Sequence, residues 1–358
     1  MLDFDPVLVA DEIERKTCAL LVGPDLLRLD NHPLNQAMRD SLAAKYGQYI
    51  EHYYEQQGLF KFKHEAGKKL VTQKAVREFY DVAAPDEELL KKIVSIPFHL
   101  ILSINPDTFL SDTCLKYGIK HQFHHFLGNH REVKPVEPPA ELPLIYNLSG
   151  TKDKYDSLVL DYDDLYDYLK SMFGPPGLPQ HLHLALNECS SFLFLGFQLD
   201  KWYTQLLVRW VSDVKGARRY ANPMNGDPKN PDTEQFIQKH IDVYLTEKDS
   251  FGVLDDLYNI FRDSDTYKLR TLSQPASPNT VSIRRRVQNG EMQKALEEFN
   301  TLSAKVGEQN AAILFLSEYN DLVEKKSKYA LNQEEFDEHL RKLKYRLLET
   351  LDKYAATL

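Results

Sequence analysis

The run Ser191–Phe197, SFLFLGF, limits the fold of this chain more than any other segment, because Phe192 to Leu195 are all large and apolar and present no polar face to water. A half-buried strand alternates apolar with polar residues. A strand that is apolar at successive positions is buried on both faces, as in a parallel sheet covered by helices. Three further segments repeat the pattern: CALLV from Cys18 to Val22, FHLILSI from Phe98 to Ile104, and Leu144-Ile145-Tyr146. Each runs into strand-ending residues: Gly23-Pro24-Asp25, Asn105-Pro106-Asp107 and Asn147-Leu148-Ser149-Gly150. Helical spacing from Asn35 to about Tyr80, from Glu87 to Val94, from Tyr162 to Met172, after Lys201 and in LDDLYNIF supplies the covering layers. The expected fold is therefore α/β, with a helical insertion over about residues 35–95. DSLVLD (156–161) and HIDVYLT (240–246) are expected to be extended, and ANPMNGDPKNPD (221–232) to be an exposed loop.

At 358 residues the chain exceeds what one core serves, since cores stop growing near roughly 250 to 300 residues. LSQPASPNT, residues 272–280, has the composition of a linker. The expected division is an α/β domain over 1–271, that linker, and a small all-α bundle over 281–358. In the bundle, apolar residues recur at helical intervals through Met292, Leu296 and Phe299, then Ile313, Leu316, Tyr319 and Val323, then Phe336 to Leu351. Asn332 and Glu335 form a capping pair for the last of three or four helices.

The formal net charge of −9 argues against duplex nucleic acid, which calls for a basic stripe. Arg218-Arg219 and Arg284-Arg285-Arg286 are expected to be solvated helix faces or linkers. No apolar run approaches the roughly 18 residues of a membrane span, and the N-terminus is acidic where a leader is basic, so a cytoplasmic protein is expected. The three cysteines, Cys18, Cys114 and Cys189, lie among apolar residues and are expected to be buried and structural. His121, His124, His125 and His130 cluster on what reads as an exposed connector, but at no zinc spacing, and no zinc is expected.

In open parallel sheets ligands bind beyond the C-terminal ends of strands. The loops holding Gly23 and Asp25, Asn105 and Asp107, Ser149 and Gly150, and Gly196 are the candidate site. Pro24 has no N–H to offer a phosphate and Asp25 sets a negative charge beside it. Asn105 suits orientation of a hydroxyl or water, Asp107 recognition of an amide or ribose.

Taken in order, these loops resemble the sirtuin-like NAD-binding family of bacterial defence systems, over roughly residues 15–265. The carriers are LLVGPD for the family's strand into Gly-Ala-Gly, LSINPD for Asn-x-Asp, Leu148-Ser149-Gly150 for Leu-His-Gly, and LFLGFQLDKW for its late strand. The resemblance implies a Rossmann-like sheet. It also implies that Gly23, Asp25, Gly150 and Gly196 lie along NAD or an ADP-ribose-like nucleotide, that Asn105 positions the nicotinamide ribose or water, and that Asp107 binds the carboxamide. Ser149 stands where the family has its histidine base. The region from RRRVQNGEMQKALEEF onward resembles the helical effector-associated domains of bacterial conflict systems, which implies a protein partner and leaves a homo-oligomer open. Three functions follow: a degenerate nucleotide-binding module with a recruiting helical domain; an active NAD hydrolase whose base is another residue such as His124 or His125; or a ligand-free assembly platform.

Overall fold

The computed structural model describes residues 4–127, 137–174, 177–222, 231–305, 307–328 and 330–355. Two compact units result: Met1–Ser111 with His121–Thr271, and Asp112–Lys120 with Leu272–Leu358.

The first unit is built on a seven-stranded sheet of β1 (Cys18–Val22), β2 (Leu100–Ser103), β3 (Gln122–His125), β4 (Leu144–Asn147), β5 (Ser191–Leu195), β6 (Arg218–Ala221) and β7 (Tyr244–Leu245). Their order across the sheet is β7-β6-β5-β1-β2-β4-β3, and every pairing is parallel. β1, β2, β4 and β5 are buried at every position, as continuous apolar runs demand. From β1 the chain builds outward through β2, then returns to place β5 on the other flank. The topological switch therefore falls at β1, where Val22 pairs with Leu195 on one side and Ser103 on the other.

Several sequence expectations are corrected. The stretch from Asn35 to Tyr80 is not helical throughout: helix Leu34–Tyr46 gives way to an antiparallel hairpin of Ile50–Tyr54 and Leu59–Phe62, and helix resumes from Glu65. Tyr, Phe and Ile favour a pleated surface, Leu59 and Phe60 are buried, and Gly58 takes the left-handed backbone of the turn (φ +71°). DSLVLD contributes no sheet strand; Tyr155–Ser157 is a 3₁₀ turn, and a single bridge ties Asp161 to Phe60. HIDVYLT is strand only at Tyr244–Leu245, because a π-helical turn over Ile237–Ile241 ends at left-handed Asp242 (φ 60°). Arg218 and Arg219 do not lie on a helix or linker but open β6. Arg219 is buried, its guanidinium donating to the Ser212 carbonyl and hydroxyl and pairing with Asp242.

The second unit packs helices Pro278–Gln288, Met292–Lys305, Gln309–Ser327 and Gln333–Ala355 around one core. Phe299 is fully buried there, edge-on to Phe315 and stacked on Tyr354. Residues 272–277 do not run free: the Ser273 and Ala276 amides donate to the carbonyls of Tyr117 and Lys116 at 2.9 and 2.8 Å. The arginine triplet is paired, Arg284 with Asp352, Arg285 with Asp112, and Arg286 with Glu291 and Glu298. Asn332 and Glu335 form the reciprocal cap, at 3.0 and 2.9 Å. Asn332→Ala is expected to cost about 1 kcal/mol, seen as faster amide exchange over the first turn of the last helix. Unchanged exchange there would show that the cap contributes nothing. All three cysteines are buried, and burial pushes the Cys18 thiol up to about 12. Among the described residues no helix is long and apolar enough to cross a membrane.

Candidate functional site

Two glycines hold the strand ends together at the switch point. A Cβ on Gly23 would stand 2.2 Å from the Gly196 carbonyl oxygen, and one on Gly196, whose φ is +72°, would stand 2.3 Å from the Leu26 nitrogen. The loops after β1 and β5 are thus in backbone contact that no side chain permits. Their N–H groups are spent on the same contact. Gly23 N–H donates to Leu195 O at 2.8 Å, Asp25 N–H to Gly196 O at 3.0 Å and Leu26 N–H to Gly23 O at 3.4 Å, while Pro24 has none. The Gly196 N–H is held between Asn222 Oδ1 and Ser250 Oγ, at 2.8 and 3.0 Å. Gly23 and Gly196 serve here as packing residues.

Asn105 is buried at the end of β2, its Nδ2 donating to the Gly23 carbonyl at 3.3 Å. That bond ties the second loop to the first. Asp107 Oδ1 accepts from Phe109 N–H at 3.0 Å at the start of helix Phe109–Lys116, and its backbone carbonyl accepts from Asn147 Nδ2 at 2.6 Å. Gly150, with φ +80°, packs where a Cβ would meet the Ser157 carbonyl at 2.1 Å. Ser149 faces inward with the buried Tyr168 hydroxyl as its polar neighbour, and burial pushes that phenol well above its usual range, so it stays protonated.

Asn105 and Ser149 line a cavity of ≈160 Å³ beyond the strand ends. Its wall is largely apolar, with Met38, Leu59, Phe60, Ile104, Leu160 and Leu207 among the contributors. Arg39, Tyr53, Gln198, Lys201 and Tyr203 also line it. Asp25 sits beside them without lining the cavity; its Oδ1 accepts from Gln198 Nε2 at 2.8 Å, and burial raises its carboxyl above the usual range. Burial, with Arg39 adding repulsion, lowers the Lys201 ammonium from its usual value against the pull of Asp200 and Asp25. Among the described lining residues there is no imidazole and no carboxylate.

Of the residues proposed from sequence, the structure brings Asn105 and Ser149 together on the cavity, sets Gly23, Asp25 and Gly196 behind it, and places Asp107 and Gly150 off its wall. His124 and His125 end the edge strand β3, level with Tyr146 and Asn147, and line no part of it. His121 bonds the Ser111 hydroxyl at 2.8 Å, and His130 lies outside the described residues. Among the described residues no three His, Cys, Asp or Glu side chains are grouped to hold a metal. Arg39, Tyr53, Tyr168 and Tyr203 were not legible as site residues. Lys201 stands within LFLGFQLDKW, but nothing in that motif marks its amine as facing a cavity.

An all-parallel sheet covered by helices, with a cavity at its switch point, is the architecture of a Rossmann-like nucleotide-binding fold. Residues 99–244 match the family model described as a SIR2-like domain, so this part of the chain is similar to the sirtuin-like family; β1 and its glycine loop precede the match. No curated protein matches the chain. This family is NAD-related, and NAD fits the site only in part. The cavity is below the roughly 300 to 1,000 Å³ of typical small-molecule pockets and near the roughly 150 Å³ that holds one benzene ring. A nicotinamide or ribose ring fits; the pyrophosphate finds no free N–H in the glycine loop.

Proposed function

We propose that the α/β unit is a degenerate sirtuin-like module that binds NAD or an ADP-ribose-type nucleotide without cleaving it, and that the helical unit recruits a protein partner in an antiphage-defence setting. The observation that carries this reading is the cavity wall, where Ser149 and Asn105 remain but, among the described residues, no imidazole or carboxylate stands to take a proton. A serine hydroxyl is no base near neutral pH, and loss of general acid–base help costs about 100 to 10,000-fold in rate. Tyr168, the polar neighbour of Ser149, is itself held protonated. For the helical unit, support comes from helix Gln309–Ser327, which leaves the adjacent Ile313 and Leu314 exposed, an apolar offer to another helix.

Calorimetric titration with NAD and ADP-ribose, alongside nicotinamide release, tests the reading. Micromolar binding without release is expected. Release that disappears in Asn105→Ala would establish a hydrolase instead, and silence in both assays a ligand-free platform.

A further inference from the structure

A cluster of polar residues on the cavity wall has a geometry that the glycine loop lacks. The point that a Cβ on Gly58 would occupy lies 2.6 Å from Lys201 Nζ, 3.4 Å from Tyr203 Oη and 3.6 Å from Tyr53 Oη. Three polar heads from the hairpin and the post-β5 segment thus converge on one spot. Arg39 joins them: its guanidinium lies over the Tyr53 ring, 4.7 Å from the centroid, and its Nη1 donates to Tyr53 Oη. Tyr53 accepts that bond and keeps its own proton to donate, and burial holds the phenol above its usual range. The Tyr203 proton is given to the Gln57 carbonyl at 2.8 Å. Arg39 Nε donates to Asn35 O at 3.3 Å, which leaves Nη2 as a donor.

Neither Arg39 nor Lys201 forms an ion pair among the described residues, though other cations of this unit do so, Lys68 with Asp161 and Asp164 and Lys152 with Asp81. The nearby acids are otherwise placed. Asp25 is bonded to Gln198; Asp200 and Asp25 attract Lys201, and Asp40 and Glu55 act on Tyr53, through charge without an ion pair. Two half-buried cations facing one cavity repel each other, and an anion between them relieves that repulsion while accepting the free N–H and O–H donors.

We propose that Arg39, Lys201 and Tyr53 form an anion site for the phosphate of a small phosphorylated ligand, taking over on the cavity wall the task that the glycine loop no longer performs. Arg39 and Tyr53 come from the segment that precedes the SIR2-like match, and Lys201 from within it. The apolar, ring-sized space behind the cations receives the ring to which the phosphate is attached. That this ring belongs to a nucleotide rests on the reading above; the phosphate site does not.

Titration calorimetry of the full chain with inorganic pyrophosphate and with ADP-ribose separates the two. Arg39→Gln and Lys201→Met are each expected to weaken both ligands by about tenfold or more, and Lys201→Arg to restore most of the loss. Both side chains are half-exposed, and thermal unfolding of the variants should match the parent. ADP-ribose binding that is indifferent to both variants would overturn the phosphate site and leave the nucleotide reading standing. Pyrophosphate binding that depends on Lys201, with no binding of ADP-ribose, would uphold the site and overturn the nucleotide reading. Absence of binding by either ligand would overturn both.

Discussion

Gly196→Ala is expected to destabilise the α/β unit by about 3 kcal/mol or more. Two costs add. The backbone at 196 is left-handed, at φ +72°, which L-residues with a side chain adopt at a penalty, and the new carbon would meet the Leu26 nitrogen at 2.3 Å and its Cα at 2.8 Å. Neither obstacle is the end of a flexible side chain, so relief requires the loops after β1 and β5 to part. Their parting would break the Asp25 N–H bond to Gly196 O and release the Gly196 N–H from Asn222 and Ser250. Gly23→Ala, with its carbon 2.2 Å from the Gly196 oxygen, is expected to behave alike. Urea unfolding followed by tryptophan fluorescence reads the loss, since Trp202 and Trp210 lie in this unit. A variant within about 0.5 kcal/mol of the parent would show that the glycines are not packing residues, and would reopen a direct role for them in ligand binding.

The second large effect belongs to acid. His99, at the foot of β2, is 4% exposed, and its pKa is lowered to about 4 by burial first and then by the charges of Lys16 and Arg270. Lys16 is fixed to the Ala140 carbonyl at 2.6 Å, and Arg270 donates to the carbonyls of Val94 and Ile96, both at 3.1 Å, and to that of Phe98, so neither cation can easily withdraw. Because the folded pKa lies below the ordinary 6.5, the unfolded chain binds more protons between those two values. Stability from this group is therefore complete above pH 6.5 and lost as pH falls towards 4, by an amount on the order of 3 kcal/mol. His99→Leu removes the titration, so its urea midpoint should fall less steeply than the parent's over that window. Parallel slopes would contradict the assignment.

How far the sequence reveals this molecule depends on which physical signal each element carries. β1, β2, β4 and β5 are legible because burial on both faces demands uninterrupted apolar residues. β6 is not, because RRYA opens with two arginines whose charges are satisfied only by tertiary partners: Glu12 for Arg218, and Ser212 with Asp242 for Arg219. QFHH of β3 is an edge strand and has no need of an apolar face. At the site, Asn105 and Ser149 follow from the strand-end rule. Gly23 and Gly196 also follow as important positions, but their use in packing one loop against the other appears only when the two strands are set side by side. Arg39, Tyr53 and Lys201 span more than 160 residues of chain; Tyr53 and Lys201 meet at the hairpin turn of Gly58, and Arg39 joins them through Tyr53.

In the proposed function a nucleotide is held and not cleaved. Proton NMR of NAD incubated with the purified chain reads both halves at once, since binding transfers saturation to the nucleotide resonances and cleavage produces the separate signals of free nicotinamide. Saturation transfer with no nicotinamide after prolonged incubation is the predicted result. Accumulating nicotinamide that vanishes in Asn105→Ala would contradict it.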